Sequence, residues 1–129
     1  MKMKLKFSPL ILAVLIYGCA GTTTGNDPVV VDAEKSQSIA LETINTFLKL
    51  EYDNRAVVKQ SLPQVHTYAN YVRVHSPQWI ATARSMTNAY KSNRNDQNKA
   101  NLQTAIAVLT QAVTQITAYT SEINSVAQH

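Results

Sequence analysis

Few residues in this chain have the type and spacing that chemistry requires. His66 and His75 are nine residues apart, and His129 is the last residue. Helical metal sites place ligands three or four residues apart, as in His-x-x-x-His or Glu-x-x-His, so that both reach one ion. Neither His66 nor His75 has a carboxylate at that offset. Both read as incidental surface histidines, and no metal or other cofactor is expected. Asp53, Asp96 and Glu122 fall on different segments, which leaves Glu51 with Asp53 or Glu42 as the carboxylates to weigh for acid/base work on a sugar. Two carboxylates must face one cleft for that reaction, and helix residues two apart diverge. The three glycines, Gly18, Gly21 and Gly25, all precede the expected domain, so it has no glycine-rich phosphate loop. No serine sits in a nucleophile elbow. A domain without catalysis is the expectation.

Aromatic residues are the stronger candidates. Tyr68, Tyr71, His75 and Trp79 lie within twelve residues, and Tyr52 and Tyr90 are candidates to join them. Tyrosine and tryptophan bury large areas with few rotors, which suits a binding surface. They equally suit the edge of a helical core, with polar tips in water. Both readings stand for these four residues, the partner-binding one making them a docking surface around Ser76-Pro77.

The only cysteine, Cys19, follows a basic stretch holding Lys2, Lys4 and Lys6 and a ten-residue apolar run over 7–16. With Ile16-Tyr17-Gly18-Cys19, this resembles the signal peptide and lipobox of bacterial lipoproteins. Tyr17 is bulkier than is usual at its position. The resemblance covers about the first twenty residues. It implies cleavage between Gly18 and Cys19, lipid such as palmitate on the Cys19 thiol, and attachment to a membrane through that lipid. The rivals are an uncleaved membrane anchor and an ordinary signal peptide with a chance cysteine. A ten-residue apolar core is short of the roughly 20 residues that span a bilayer. Ala20 follows the cysteine where an aspartate would imply inner-membrane retention. The resemblance therefore implies an outer-membrane lipoprotein facing the periplasm, or the outer face of the membrane in a single-membrane bacterium.

The whole chain carries a formal charge of +4. Removing Lys2, Lys4 and Lys6 leaves nine basic side chains against eight acidic ones. Nucleic-acid binding needs a concentrated basic stripe to neutralise phosphates. The remaining cations are scattered among acids, so no nucleic-acid partner is expected. With its one cysteine acylated, the domain has no disulfide to compensate for a small core.

The elements that must position these residues are helices. Residues 1–18 read as signal peptide, 19–31 as a lipidated flexible tether and 32–129 as the folded domain. Val29, Val30 and Val31 suggest a hydrophobic staple in preference to a short strand, and Asp32 an N-cap. Leu41, Ile44 and Leu48, then Val58, Leu62, Val65, Ala69 and Val72, recur at helical spacing. Glu51 and Arg55 interrupt that stripe in the same phase. A polar layer at the bundle centre and a solvated edge pair are the two readings, and the edge pair is favoured. Pro63 marks either a kink or a hairpin. Ser76-Pro77 is a helix-start signal. Asp96 caps a last helix, residues 97–127 and about 46 Å long, whose Leu102, Ile106, Leu109, Val113, Ile116, Thr120 and Ile123 form a heptad seam. Between Lys99 and Glu122 that helix has no charge. An uncharged polar face is compatible with homo-oligomerisation or a partner helix, a plain solvated surface being the simpler reading.

The expected fold is all-α: a small antiparallel bundle of three helices, or four if Pro63 and Ser76-Pro77 both turn the chain. The expected role is to bind or scaffold another cell-envelope component, an envelope protein. Rival roles are an exclusion or inhibitor lipoprotein of phage or plasmid type, and a cell-wall enzyme or its accessory.

Overall fold

The computed structural model describes residues 27–128. They form a small all-α bundle of four helices: α1 (Pro28–Asp53), α2 (Arg55–Ser61), α3 (Pro63–Ser92) and α4 (Asp96–Ala127). The signal-peptide residues and Cys19 lie outside the described residues, as does His129.

Helix α1 starts five residues earlier than Asp32 would have it. Asp27 is the N-cap: its Oδ1 accepts from the Val29 amide at 2.9 Å, and Pro28 takes the first helical position. Proline is preorganised there and has no amide to leave unpaired. Residues 28–31, expected in the tether, are therefore helical. Val30 packs with Ala33, Tyr90 and Leu102, so the valines belong to the helix itself and not to a hydrophobic staple ahead of it. Asn54 interrupts the helix at its far end. Its amide side chain donates to the Leu50 carbonyl at 2.9 Å and competes with helix continuation. After this one residue the short α2 begins.

Pro63 is a hairpin. It takes the first position of α3, and Leu62 before it sits at φ −135°, ψ 61°, outside the helical region that a following proline disfavours. The chain then runs back along α1. Asp27 meets Tyr90 and Arg94, Gln37 meets Thr87, and Glu51 meets His66 and Arg73. Helices α3 and α4 are again antiparallel, with Tyr90 near Leu102, Ala83 near Leu109 and Val65 near Ile123. The result is an up-down-up bundle with α2 folded across one end.

Ser76-Pro77 does not start a helix. Helix α3 runs thirty residues with Pro77 inside it, and Ser76 is buried in its packed face. Pro77 and Arg73, whose carbonyl loses its donor, are both exposed. Water can serve that carbonyl, which explains how the helix survives an internal proline. At the start of α4 the cap is Asn95, accepting from the Asn98 amide at 2.7 Å. Asp96 instead adds an acid to the positive end of the helix dipole.

The core has three tiers. Val30, Ala33, Tyr90 and Leu102 close the end where α1 begins. Ala40, Ala83 and Ala105, with Ile80 and Leu109, form a thin middle. Ile44, Phe47, Val58, Val65, Val72, Ile116 and Ile123 fill the far end, thickened by α2. The seam of α1 is Val30, Ala33, Gln37, Ala40, Ile44, Phe47 and Glu51, alternating spacings of three and four. Leu41, expected in that stripe, is 38 % exposed.

Since Pro77 removes a helix hydrogen bond without packing inward, Pro77→Ala should stabilise the bundle. An increase of about 1–2 kcal/mol is expected from urea unfolding followed by helical circular dichroism. A decrease would show that the proline supports α3.

Candidate functional site

The expected edge pair Glu51–Arg55 is a buried polar layer. The Glu51 side chain has 0 % exposure and lies under donors from two neighbouring helices. Its Oε2 is 2.8 Å from His66 Nδ1. Its Oε1 accepts from Arg73 Nη2 at 3.0 Å and from Arg55 Nη2 at 3.4 Å. Asn70 extends the cluster, accepting from Arg73 Nη1 at 2.8 Å and lying 3.4 Å from His66 Nε2. The Arg55 guanidinium lies 5.0 Å above the Tyr52 ring. Burial alone would push the Glu51 carboxyl up. The His66, Arg73 and Arg55 donors outweigh it and hold the carboxyl below its ordinary value.

His66, expected as an incidental surface residue, is thus a structural partner with 21 % side-chain exposure. Beside a carboxylate its proton belongs on Nδ1, which leaves Nε2 toward the surface. Its carboxylate is fifteen residues away across the hairpin, not at a helical offset. The signal available in the sequence was Glu51 in the apolar phase of α1. A hairpin at Pro63 then brings residues 66–73 beside it. Glu51 lacks what a general acid requires, an open face and a raised pKa. Among the described residues, no three His, Cys, Asp or Glu side chains gather as a metal site would require.

The aromatic residues do come together. Tyr68 packs against the core, tilted on Phe47 at 6.2 Å and edge-on to Tyr119 of α4 at 5.2 Å. It stacks with Tyr71 at 6.0 Å between centroids. Tyr71 lies 4.3 Å from His75 and 5.8 Å from Trp79, and His75 stacks on Trp79 at 6.4 Å. Trp79 itself leans on both the middle and far tiers. The four rings form a ladder along α3. Its inner members, Tyr68 and Trp79, line the core edge, while Tyr71 is 49 % exposed and His75 is half-buried. Burial, with the Tyr71 and Tyr119 phenols close by, pushes the Tyr68 phenol up. Tyr52 and Tyr90 do not join the ladder. Tyr52 lies under Arg55, and Tyr90 is buried in the tier beside Asp27. Tyr119 of α4 takes their place.

A third cluster ties down the start of the fold. Asp27 Oδ2 accepts from Arg94 Nε at 2.8 Å and from the Tyr90 hydroxyl at 3.1 Å, while Oδ1 caps α1. The Arg94 guanidinium leads in holding the Asp27 carboxyl below its usual range. Nearby, Lys91 pairs with Glu34 at 3.0 Å.

No described helix is long and apolar enough to cross a membrane. No family model, curated protein or solved structure matches the chain.

The sign of the Glu51 effect sets a pH test. A carboxyl whose folded pKa lies below its unfolded value stabilises the fold above about pH 4.5 and loses that contribution as pH falls through the folded pKa. Glu51→Gln should cost about 2–3 kcal/mol at pH 7, because three donors lose their charged acceptor. At pH 3, below the ordinary carboxyl value of 4.5, the unfolded parent binds a proton that the folded clamp disfavours, so the gap between variant and parent should narrow. Urea unfolding at the two pH values measures both terms, and a gap independent of pH would refute the ionised clamp.

Proposed function

We propose that this chain is a lipid-anchored, exported helical domain that binds another component of the bacterial cell envelope and performs no catalysis of its own. The carrying observation is Cys19 behind a basic and apolar leader, in the setting Ile16-Tyr17-Gly18-Cys19. Ala20 favours the outer membrane, facing the periplasm, where the source has two membranes.

The start of α1 at Pro28 sharpens this reading. Only seven residues, 20–26, separate Cys19 from the Asp27 cap. Fully extended, that link reaches at most about 29 Å, and as a coil it averages roughly 16 Å. Its root is held by Tyr90 and Arg94 at the end of the bundle that carries the α3–α4 connection. On this reading that end faces the lipid, and the long axis leads away from it. The ladder begins at Trp79, thirteen residues from the end of α3, or about 20 Å along the helix. Tyr68, Tyr71, His75 and Trp79 are then within reach of a partner that stands off the membrane. Two or three acyl chains, at about 0.8 kcal/mol per buried methylene, would make the attachment durable.

Intact-mass measurement of the purified chain, with palmitate labelling of the parent and of Cys19→Ser, tests the anchor. A mature species beginning at acylated Cys19, with label lost in the variant, is the expected result. A free thiol, or a species beginning at Met1, would remove the basis of the reading.

A further inference from the structure

We propose that the ring ladder of α3 is a docking surface for a neutral glycan strand of N-acetylated sugars, the polymer class of bacterial cell wall. The proposal rests on the envelope reading above and gives its partner a chemical class.

The shape is linear. Tyr71, His75, Gln78 and Thr82 follow one another at spacings of four, three and four, so they share one stripe of α3. Tyr71, Gln78 and Thr82 are exposed and His75 half-buried, while Tyr68 and Trp79 back the stripe from the core side. On α4, Tyr119 touches the ladder at Tyr68, and Gln115, one turn earlier, is exposed. From Tyr68 to Trp79 the row covers about 16 Å of helix. A straight row of that kind suits an extended chain better than a compact ligand.

Charge decides the occupant. The stripe holds no lysine, arginine, aspartate or glutamate, and α4 opposite has none between Lys99 and Glu122. An anionic polymer would find no cation here to neutralise it. Protein interfaces draw their anchors from arginine as well as tyrosine and tryptophan, and this stripe has no arginine. A neutral sugar chain needs what is present. The half-exposed Tyr71 ring, with the partly buried rings beside it, offers apolar surface to the sugar's C–H groups, and Gln78, Thr82 and Gln115 can each both donate to and accept from hydroxyl and acetamido groups.

Trp79 is the only tryptophan, so emission excited where tyrosine does not absorb reports on the ladder alone. The detergent-solubilised full chain is titrated with β-1,4-linked N-acetylglucosamine oligomers and sedimented with purified peptidoglycan sacculi. A saturable change in Trp79 emission and pelleting with sacculi are expected. Tyr71→Ala should weaken both about tenfold with helix content and melting temperature unchanged. Tyr71→Phe, which keeps the ring, should bind like the parent.

Unchanged emission with all protein in the supernatant overturns the proposal. So does equal affinity in Tyr71→Ala. Emission that tracks the chain's own concentration would assign the face to a second copy, and cross-linking from this face to an envelope protein alone would assign it to that protein; either result refutes the glycan. Loss of sugar binding with Cys19 acylated leaves the envelope reading standing. Sugar binding by an unacylated chain removes the anchor and leaves the ladder.

Discussion

A carboxylate with no access to water must be surrounded by donors, and Glu51 imposes that condition on the end of the bundle where three helices meet. It sits at a seam position of α1, where Ala33, Ala40 and Phe47 point inward. Desolvation of an ion costs several kcal/mol unless attraction and hydrogen bonds replace the lost hydration. Replacement comes from His66 and Arg73 on α3 and from Arg55 at the start of α2. His66 and Arg73 lie where they do only if the chain turns at Pro63, whereas Arg55 is a local partner four residues from Glu51. Arg55 contributes least: its bond is the longest, and its Nε is buried without a partner. The tie between α1 and α3 therefore outranks the tie to α2.

Two further polar ties repeat the same pairing along α1 and α3. Gln37 Nε2 donates to the Thr87 hydroxyl at 2.7 Å, which in turn donates to the Ala83 carbonyl at 2.7 Å. Asp27 accepts from Tyr90 and Arg94 at the opposite end. Apolar burial is non-directional, and the middle tier is largely alanine, whose small side chains interlock weakly. Such a tier tolerates sliding of one helix along another. Hydrogen bonds at 27, 37 and 51 do not, because a shift of one turn would leave the buried Glu51 and the partly buried Asp27 and Gln37 unmatched. Register between α1 and α3 is thus carried by polar contacts, and most of the stability by apolar ones. The same division is seen where a single buried polar residue sets the alignment of a coiled coil.

Polar seam residues also explain which parts of the fold were legible in the sequence. The α4 seam was readable at Leu102, Leu109, Ile116 and Ile123, which are buried, while Ala105 and Ala112 are buried beside the expected Ile106 and Val113, which are only partly so. All-α architecture followed from the same periodicity. In α1 the true phase passes through Gln37 and Glu51, so a search for apolar residues drifted one position to Leu41. Glu51 reads as solvated only if its pair with Arg55 is set at the bundle edge, and His66 as incidental only if its carboxylate is sought at a helical offset, where its true partner is fifteen residues away. Asp32 and Ser76-Pro77 misled for a different reason. Local capping signals state only what a segment can do, and packing of Val30 and Ser76 decides which one is used. Asp27-Pro28 was an equally good start signal, and burial of Val30 tipped the choice. The aromatic group was visible as a cluster, but Tyr119 could enter it only once α4 had been laid against α3.

The clamp and the ladder occupy opposite edges of one helix. His66, Asn70 and Arg73 look toward α1 and α2, while Tyr68, Tyr71, His75 and Trp79 look toward α4. Helix α3 is consequently held from behind by charge-assisted bonds and left with an open, uncharged row of rings in front. A binding surface gains from such backing, because rings already locked by Phe47, Tyr119 and one another lose little rotamer freedom when a partner arrives. Pro77 fits the same division. Its missing amide faces solvent beside Arg73, on the clamp side, and the helix weakness it introduces stays away from the ladder. The buried carboxylate and the exposed aromatics are therefore linked. By fixing α3 against α1, Glu51 sets the angle at which α3 presents Tyr71 and Trp79.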